Sequence, residues 1–263
     1  MSIIGGRPDM ENYLTIALYL KNMISPAPHH ETLEISCKDL GVLLLESYCP
    51  RCFWFKIHVS SLPFQIFPGI FSSIDAYTKK VTKAYFEKYE IPPKWFRGFE
   101  GLEKPVRVPP RSEFFVLHKE SGVKLTGAPD EIFQKRNGSY FIVDYKTARY
   151  TPGQKLWMPI YEVQLNGYAY IAEHVGLKPV DGLGLVYYEP MTALSPSEMK
   201  ANVGKKGFGM QFVAKLHKVK LDAGMIEPLL MKARAVYDLE SPPEGRAKCK
   251  DCRAIDELVS HAR

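Results

Sequence analysis

The chain has 263 residues, enough for one sizeable hydrophobic core, and its 46% hydrophobic and 24% charged residues are typical of globular proteins. No apolar run approaches the roughly 20 residues that span a bilayer, and the N-terminus lacks the features of a signal peptide, so we expect a cytoplasmic protein that does not contact a membrane. The formal net charge of +6 favours a polyanionic partner, but only mildly.

The first elements along the chain are predicted to be helices. Residues 10–24 have the apolar pattern of a helix that packs on the main body, and "SPAPHH" ends it. Ser36 is a candidate N-cap for a second helix that runs through "KDLGVLLLESY" into "CPRC". A loop rich in Pro and Phe follows, and then a third helix over about 72–89, which "IPP" breaks.

From residue 113 the sequence is rich in β-branched and aromatic residues, which favour strands. Five stretches are predicted to be strands: "EFFVLHK", "GVKLTGAPDEIFQK", "SYFIVDYKT", "GLGLVYYEP" and "MQFVAKLHKVKL". Helices at about 156–175 and 222–238 interrupt or follow them, and 192–209 is predicted to be a long mobile loop. This order predicts an α/β fold with a central mixed β-sheet flanked by helices.

The strand "IVDYKT" carries two charges on one face. Because side chains alternate along a strand, Ile142, Asp144 and Lys146 face the same way. The strand is too apolar to be freely solvated, so the inward-facing Asp and Lys need compensation for lost hydration. A divalent cation would supply it, and carboxylate oxygens suit Mg²⁺ or Mn²⁺. Lys146 would then orient an attacking water or stabilise charge on a phosphate.

A second carboxylate, Asp130 in "GAPDEIF", reaches the same place only in one hairpin register. A two-residue Asn137-Gly138 turn would point the two aspartates to opposite faces. A three-residue loop, residues 136–138 with Gly138 in the left-handed region, places Asp130 directly opposite Asp144. We predict that loop, or an equivalent one-residue bulge near Pro129.

Gln164 and Tyr168 lie four residues apart, so they are neighbours on one face of the predicted helix. Two interpretations stay open. Either the helix is simply amphipathic with Tyr168 half buried, or the pair faces the carboxylates and contacts a phosphate or the region of Lys146.

In chain order, "GAPDEIF", "IVDYKT" and "QLNGY" resemble the G-x-x-D, D-x-K and Q-x-x-x-Y motifs of the PD-(D/E)XK nucleases. The resemblance points to the RecB-like branch, with its CRISPR-associated exonucleases and the AddB nuclease domain, and it covers about 127–168. It implies a restriction-endonuclease-like core in which Asp130, Asp144 and the carbonyl of Tyr145 bind metal. Lys146 would assist catalysis, and Gln164 and Tyr168 would brace the substrate side.

The family also places a histidine ligand on the preceding helix, and this sequence departs from that pattern. Asp75, in "GIFSSIDAYTKK", occupies the place that we align with the histidine. An aspartate can bind Mg²⁺ or Mn²⁺, so Asp75 is a candidate metal ligand. The alternative is a surface residue in the first turn of its helix, where it complements the helix dipole. Glu131 is expected to point away from the site.

Five cysteines in a chain without an export signal indicate thiols or a metal rather than disulfides. Cys49 and Cys52 form "CPRC", Cys249 and Cys252 form "CKDC", and Cys37 stands apart as a plain buried or free thiol. Two such thiolate pairs suit either a tetrahedral Zn²⁺ or a [4Fe–4S] cluster.

Two other readings of these cysteines stay open. One combines Cys49 with Cys249, Cys252 and His261, and in the other "CPRC" merely packs in the core while the tail is flexible. The family resemblance favours the iron–sulfur cluster, because iron–sulfur members join one cysteine before the nuclease core to three after it and so hold the chain ends together. This sequence departs from that pattern, with two cysteines before the core and two after it.

Basic residues offer a possible nucleic-acid surface. Between Lys200 and Lys220 there are six lysines and no acidic residue, with Phe208 among them. This stretch is either a loop over a nucleic-acid strand or a solvated strand edge. Lys104, Arg107 and Arg111 would extend the same groove.

These features predict three segments: a helical segment 1–60 with the first cysteine pair, a nuclease core 61–240, and a tail 241–263 with the second pair. The predicted function is a metal-dependent DNA exonuclease acting on free ends or single strands, with protein partners from a DNA-processing complex. Two alternatives remain: a nucleic-acid-binding protein that has lost turnover, and a metalloprotein whose thiols are themselves the functional centre.

Overall fold

The computed structural model describes residues 32–59, 68–193, 195 and 198–261. The predicted helix over 10–24 lies outside the described residues, as does most of the loop rich in Pro and Phe. No described helix is long and apolar enough to cross a membrane.

A five-stranded mixed sheet forms the centre of the structure, as predicted. Its order is β10-β7-β6-β5-β2, with strands β2 (Leu102–Val106), β5 (Glu131–Lys135), β6 (Tyr140–Lys146), β7 (Val180–Pro190) and β10 (Phe212–Val219). Strands β6 and β7 are parallel, while the other neighbours are antiparallel. The helix between β6 and β7 makes this parallel pairing possible, since a parallel crossover needs a long connection.

A second sheet of three strands was not predicted. It has the order β1-β4-β3, with β1 (Leu33–Ser36), β3 (Phe115–His118) and β4 (Val123–Thr126). The stretch "GVKLTGAPDEIFQK", predicted to be one strand, is therefore divided between two sheets. The break lies at Gly127, where an added Cβ would be 2.6 Å from the Tyr168 ring, and at Pro129, which has no N–H for a ladder.

Seven described α-helices surround the sheets: α1 (Cys37–Leu40), α2 (Pro50–His58), α3 (Gly69–Tyr89), α4 (Pro152–Lys155), α5 (Met158–His174), α6 (Ile226–Tyr237) and α7 (Lys250–His261). The predicted helices over 72–89, 156–175 and 222–238 correspond to α3, α5 and α6. Helix α3 ends where Glu90 adopts a left-handed conformation (φ 55°), just before "IPP".

The helix predicted from Ser36 into "CPRC" is wrong in extent. Ser36 does cap α1, because its Oγ accepts a hydrogen bond from the Asp39 N–H at 3.0 Å. However, α1 stops after one turn and continues only as a 3₁₀ helix, Gly41–Leu44. Helix α2 then begins separately at Pro50, a residue suited to the first helical position because it has no N–H to satisfy.

The central sheet packs against helices on both faces. On one face, Ile132, Ile142 and Leu185 pack in the same cluster as Leu165 and Tyr168 of α5. On the other face, a second cluster joins aromatic and aliphatic strand residues to Phe86 of α3. Asp144 alternates with residues of the second cluster, so its side chain faces α5.

The segment 192–209 is more ordered in secondary structure than a plain loop. It holds a 3₁₀ helix (Lys200–Asn202) and a short hairpin of β8 (Val203–Gly204) and β9 (Gly207–Phe208). The domain boundaries at 60 and 240 remain predictions.

Gly41 provides a test of how α1 and α5 pack. A Cβ at this residue would lie 2.7 Å from the Cα of Ile160 and 2.8 Å from its carbonyl oxygen, and this neighbour is backbone. We expect Gly41→Ala to lower the free energy of unfolding by about 1–3 kcal/mol in urea denaturation. Gly69→Ala is the matched control, since nothing lies within 4 Å of its added Cβ. Equal stabilities of the two variants would contradict the packing argument.

Candidate active site and cysteine centre

The β5–β6 hairpin has the predicted three-residue loop. The Lys135 N–H donates to the Ser139 carbonyl at 2.8 Å, and Gly138 has a left-handed φ of 84°. Glu131 pairs with Val143 and Gln134 with Tyr140. The register prediction is confirmed, and it brings the residue before β5 level with Asp144.

Asp130 is held at that position by two contacts. Its Oδ2 accepts a hydrogen bond from the Tyr145 N–H at 2.6 Å, and its Oδ1 lies 2.8 Å from Lys79 Nζ. The Asp130 carboxylate thus links the end of β6 to helix α3. The Tyr145 side chain points the other way, into the aromatic cluster beneath α3.

Asp144 is only 4% exposed and has the same pattern of contacts. Its Oδ1 accepts a hydrogen bond from Gln164 Nε2 at 3.1 Å, and its Oδ2 lies 2.6 Å from Lys146 Nζ. In both carboxylates, one oxygen is fixed by an N–H group and the other faces a lysine ammonium.

Burial raises the pKa of Asp144 to about 6, because removal from water disfavours the ionised form. Lys146 opposes this shift and Asp130 adds to it. A buried carboxylate attracts cations, because a positive charge in addition to that of Lys146 offsets the hydration that the carboxylate has lost.

Lys146 is oriented by contacts in addition to Asp144. Its ammonium donates to Gln164 Oε1 at 3.1 Å and lies 4.4 Å from the centre of the Tyr161 ring. Tyr161 was not predicted to take part, although its place one turn before Gln164 on α5 is a signal that could have identified it.

Gln164 links the charged residues of the site to Tyr168, and both Gln164 and Tyr168 are buried. Its amide donates to Asp144 and to the Tyr168 hydroxyl, the latter at 2.7 Å, while its carbonyl accepts from Lys146. The structure therefore brings Gln164 to the carboxylate and lysine, whereas Tyr168 makes its hydrogen bond to Gln164. Tyr168 is fully packed and not half buried as the first interpretation had it.

Asp75 lies on the same side as Asp130 but is connected to it through another residue. Its Oδ2 is 2.8 Å from Lys79 Nζ, so one ammonium bridges both carboxylates. Helix α3 begins at Gly69, so the alternative is wrong in placing Asp75 in the first turn, although its side chain is 40% exposed. Burial lowers the pKa of Lys79, but the hydrogen bonds to Asp130 and Asp75 outweigh this effect and raise it above the usual range.

Sequence reasoning missed Lys79, although its i, i+4 spacing from Asp75 would have suggested an ion pair. The two ammonium groups mark the places where positive charge is stabilised by Asp130 and Asp144. Carboxylate oxygens are the donors that Mg²⁺ and Mn²⁺ prefer, so these residues fit a divalent cation.

The four predicted cysteines come together. The Sγ atoms of Cys49, Cys52, Cys249 and Cys252 all lie within 4.8 Å of one another. Separations are 3.4 Å for Cys49–Cys252, 3.5 Å for Cys52–Cys252 and 3.6 Å for Cys52–Cys249. Among the described residues this group contains no histidine, so the set that includes His261 is not assembled.

An ion pair and a glycine lie next to this cysteine centre. Arg51 of α2 forms a two-bond ion pair with Asp256 of α7, which ties the two cysteine-bearing helices together. At Gly245 an added Cβ would be 2.7 Å from Cys252 Sγ, so only glycine fits beside the sulfur. The tail is not a flexible extension, because residues 250–261 form α7. Cys37 is separate and buried.

The predicted basic surface is less free than its sequence suggests. Lys215, Lys218 and Lys220 have acidic neighbours in space, at 2.8 Å from Glu189, 3.1 Å from Glu100 and 3.9 Å from Asp222, respectively. Phe208 is 90% exposed at the end of the short hairpin. Arg111 contacts Thr126 and lies 3.9 Å from Glu34, so it is directed towards the three-stranded sheet.

Glu131 points away from the carboxylates, as predicted. It pairs with Val143 and lies on the face covered by α3, near Tyr145 and Tyr188. Burial, with a smaller contribution from Asp130, raises the pKa of Glu131 to about 7.

Glu131→Gln should stabilise the fold in a pH-dependent way. Because the folded pKa lies above the usual 4.5, wild type loses stability as the pH rises from 4.5 through 7, and the glutamine variant does not. We expect the variant to gain up to about 3 kcal/mol in urea denaturation at pH 8.5, where Glu131 would otherwise be ionised, and none at pH 4. A gain that is the same at both pH values would show that charge burial is not the cause.

One of three comparisons with known proteins identifies a family. A solved structure described as "Crystal structure of SSO0001" shares 15% identity over 95% of this chain and 96% of its own, with a TM-score of 0.35, which is too low to support any argument. No curated protein matches the chain. A family model described as "PD-(D/E)XK nuclease superfamily" matches residues 65–256, which include α3, both aspartates, Lys146 and the second cysteine pair. Since the match covers well over half of the chain, this protein belongs to the PD-(D/E)XK nuclease superfamily.

Proposed function

We propose that the protein is a divalent-metal-dependent nuclease of the RecB-like branch that hydrolyses phosphodiester bonds in DNA, as an exonuclease on free ends or single strands. The observation that carries the proposal is the matched pair of carboxylates, Asp130 and Asp144, with Lys146 at 2.6 Å from Asp144. Family membership supports a nucleic-acid substrate.

Each side chain has a distinct task in this proposal. Asp130 and Asp144, with the carbonyl of Tyr145, would hold Mg²⁺ or Mn²⁺. A bound divalent cation would supply Lewis-acid polarisation of the phosphate and lower the pKa of a water molecule. Lys146 places positive charge where a phosphate or an attacking water would lie. Gln164 fixes the rotamers of both charged groups because it hydrogen-bonds each of them, and Tyr168 holds Gln164.

Asp75 stands where the family pattern has a histidine ligand, and it forms an ion pair with Lys79. The ammonium shared by Asp75 and Asp130 occupies oxygens that a cation would need. This contact favours the second candidate function, a nucleic-acid-binding protein with weak or no turnover. If Asp75 is a ligand, Lys79 must leave when a metal binds.

Lys146→Ala tests the proposal directly. In a cleavage assay on end-labelled single-stranded and duplex DNA with Mg²⁺ or Mn²⁺, wild type should produce a ladder that EDTA abolishes. The variant should lose at least about 100-fold in rate, because it lacks the charge beside the reacting phosphate, while DNA affinity stays close to wild type. Lys155→Ala, which removes an exposed lysine of α4, is the matched control and should cleave normally.

The outcomes separate the candidate functions. Cleavage that survives Lys146→Ala would contradict the assigned role of this lysine. DNA binding by folded wild type without any cleavage would support the binding protein instead. In the same assay, Asp75→Asn should reduce the rate if Asp75 is a ligand and leave it unchanged if Asp75 only pairs with Lys79.

We further propose that the cysteine centre binds a single tetrahedral ion, Zn²⁺, rather than the [4Fe–4S] cluster that the family resemblance favours. A Zn–S bond of about 2.3 Å gives sulfur–sulfur separations of about 3.8 Å in a tetrahedron. Three of the six separations are 3.4–3.6 Å, near this value, and none exceeds 4.8 Å, which supports this geometry. In a cubane cluster each thiolate binds a different iron, so the sulfurs would lie further apart than the 4.8 Å that encloses them here.

The thiols of the centre have different pKa values. Burial opposes ionisation of Cys49, but N–H groups of Cys52 and Arg246 outweigh it and lower its pKa to about 6. Burial raises the pKa of Cys52 above the usual range, and burial, with hydrogen bonds to Cys49 and Cys249, raises the pKa of Cys252 to about 11. Four thiolates this close together repel one another, and a divalent ion removes that repulsion.

Metal analysis of protein purified without oxygen distinguishes the two centres. We expect about one zinc and no iron or acid-labile sulfide per chain, and no brown colour. Cys249→Ser should lower the zinc content and the melting temperature, whereas Cys37→Ser, which changes a buried thiol outside the centre, should keep the zinc. Four irons and four sulfides per chain would contradict the single-ion proposal.

A further inference from the structure

A cavity of about 410 Å³ opens beside the cysteine centre, and no part of the proposed catalytic chemistry uses it. Its lining combines the tail with helices α2 and α7, and consists of Arg51, Gly245, Arg246, Lys248, Cys249, Cys252, Arg253 and Asp256. Half of these residues are cationic and only one is acidic.

The single carboxylate does not neutralise the cavity. Asp256 is engaged by Arg51 through two hydrogen bonds of 2.6 and 3.1 Å. Arg253 is an exposed residue whose guanidinium lies 4.0 Å from Glu257, a weak solvated pair. Among residues 32–59, 68–193, 195 and 198–261, no ion pair joins the side chain of Arg246 or Lys248 to an acid. Positive charge therefore remains available in the cavity.

The cysteine centre positions the backbone of the turn that carries these two residues. The Arg246 N–H donates to Cys49 Sγ at 3.2 Å, and the Cys249 N–H donates to the Arg246 carbonyl at 3.0 Å. Lys248 closes this turn with a φ of 58°, a left-handed conformation that is uncommon for a residue other than glycine. Such a conformation persists only where the surroundings impose it, and here the turn is held by hydrogen bonds at Arg246 and Cys249, on either side of Lys248.

We propose that this cavity binds a phosphate group of the nucleic-acid backbone, with Arg246 and Lys248 as its principal contacts. The proposal rests on the proposed nuclease function for the identity of the ligand. Arginine donors match phosphate oxygens in geometry, and exposed cations at the rim allow a continuous strand to pass. The cysteine centre would then act as the rigid base of a backbone contact, outside the catalytic carboxylates.

The test measures DNA binding by full-length, metal-loaded protein without added Mg²⁺ or Mn²⁺. Fluorescence anisotropy of labelled single-stranded and duplex DNA over a series of salt concentrations gives the slope of log K against log salt. That slope is negative, and each lost phosphate contact reduces its magnitude by roughly 0.7–0.9. The double variant Arg246→Gln/Lys248→Gln should make the slope less steep by roughly 1.5 and weaken binding several-fold at low salt.

Lys250→Gln is the matched control, because Lys250 is exposed at the start of α7 but does not line the cavity. It should keep the wild-type slope. Both variants should keep the wild-type metal content and melting temperature, which excludes loss of the cysteine centre as the cause. A double variant with the wild-type slope would overturn the proposal.

Two further readouts keep this proposal separate from the nuclease function. If the double variant no longer binds inorganic phosphate in calorimetry but still binds DNA like wild type, the cavity binds a free anion. That result would overturn the nucleic-acid assignment. If the double variant shows the predicted slope change but wild type cleaves no DNA, the cavity proposal stands and the nuclease function is contradicted. If wild type cleaves DNA but the double variant binds DNA with the wild-type slope, the nuclease function stands and the cavity proposal is overturned.

Discussion

The burial of Asp144 is the constraint on which the site depends. A carboxylate this inaccessible is costly unless positive charge and hydrogen-bond donors surround it. Lys146 supplies the charge from the same strand and Gln164 supplies a donor from α5, so sheet and helix must meet at one position. Asp130 joins from the position just before β5, and its contact with Lys79 extends the requirement to α3. The charged residues therefore fix the relative positions of elements on both faces of the sheet.

Local patterns predicted the parts of this arrangement that depend on strand geometry. The period of two placed Asp144 and Lys146 on one face, and the position of Gly138 determined the hairpin register. Gln164 and Tyr168 followed from helix spacing. Lys79 could not be placed in the same way, because its contact with Asp130 depends on how α3 crosses the sheet. Strand β1 was missed for a similar reason, since its pairing partner β4 lies almost ninety residues along the chain.

The extent of the second helix shows where local patterns mislead. The apolar run after Ser36 suits a long helix, but Gly41 must approach the backbone of Ile160, and this contact depends on α5. The sequence predicted that the two cysteine pairs meet. The distances between their sulfur atoms could not be predicted. Sulfur separations are set by how α2 and α7 pack and by the close approach at Gly245. Spacing along the sequence carries no information on either.

The cysteine centre also closes a ring in the chain. Cys49 and Cys252 are 203 residues apart, and both carboxylates and every strand of the central sheet lie between them. With a metal bound, the cross-link restricts the unfolded chain, an effect of about 5 kcal/mol for a loop of this length in the entropy model for covalent links. A pulling force applied to the chain outside residues 49–252 would then pass through the metal–sulfur bonds and bypass the sheet. A bound metal would thereby isolate Asp130 and Asp144 mechanically from tension on the flanking chain.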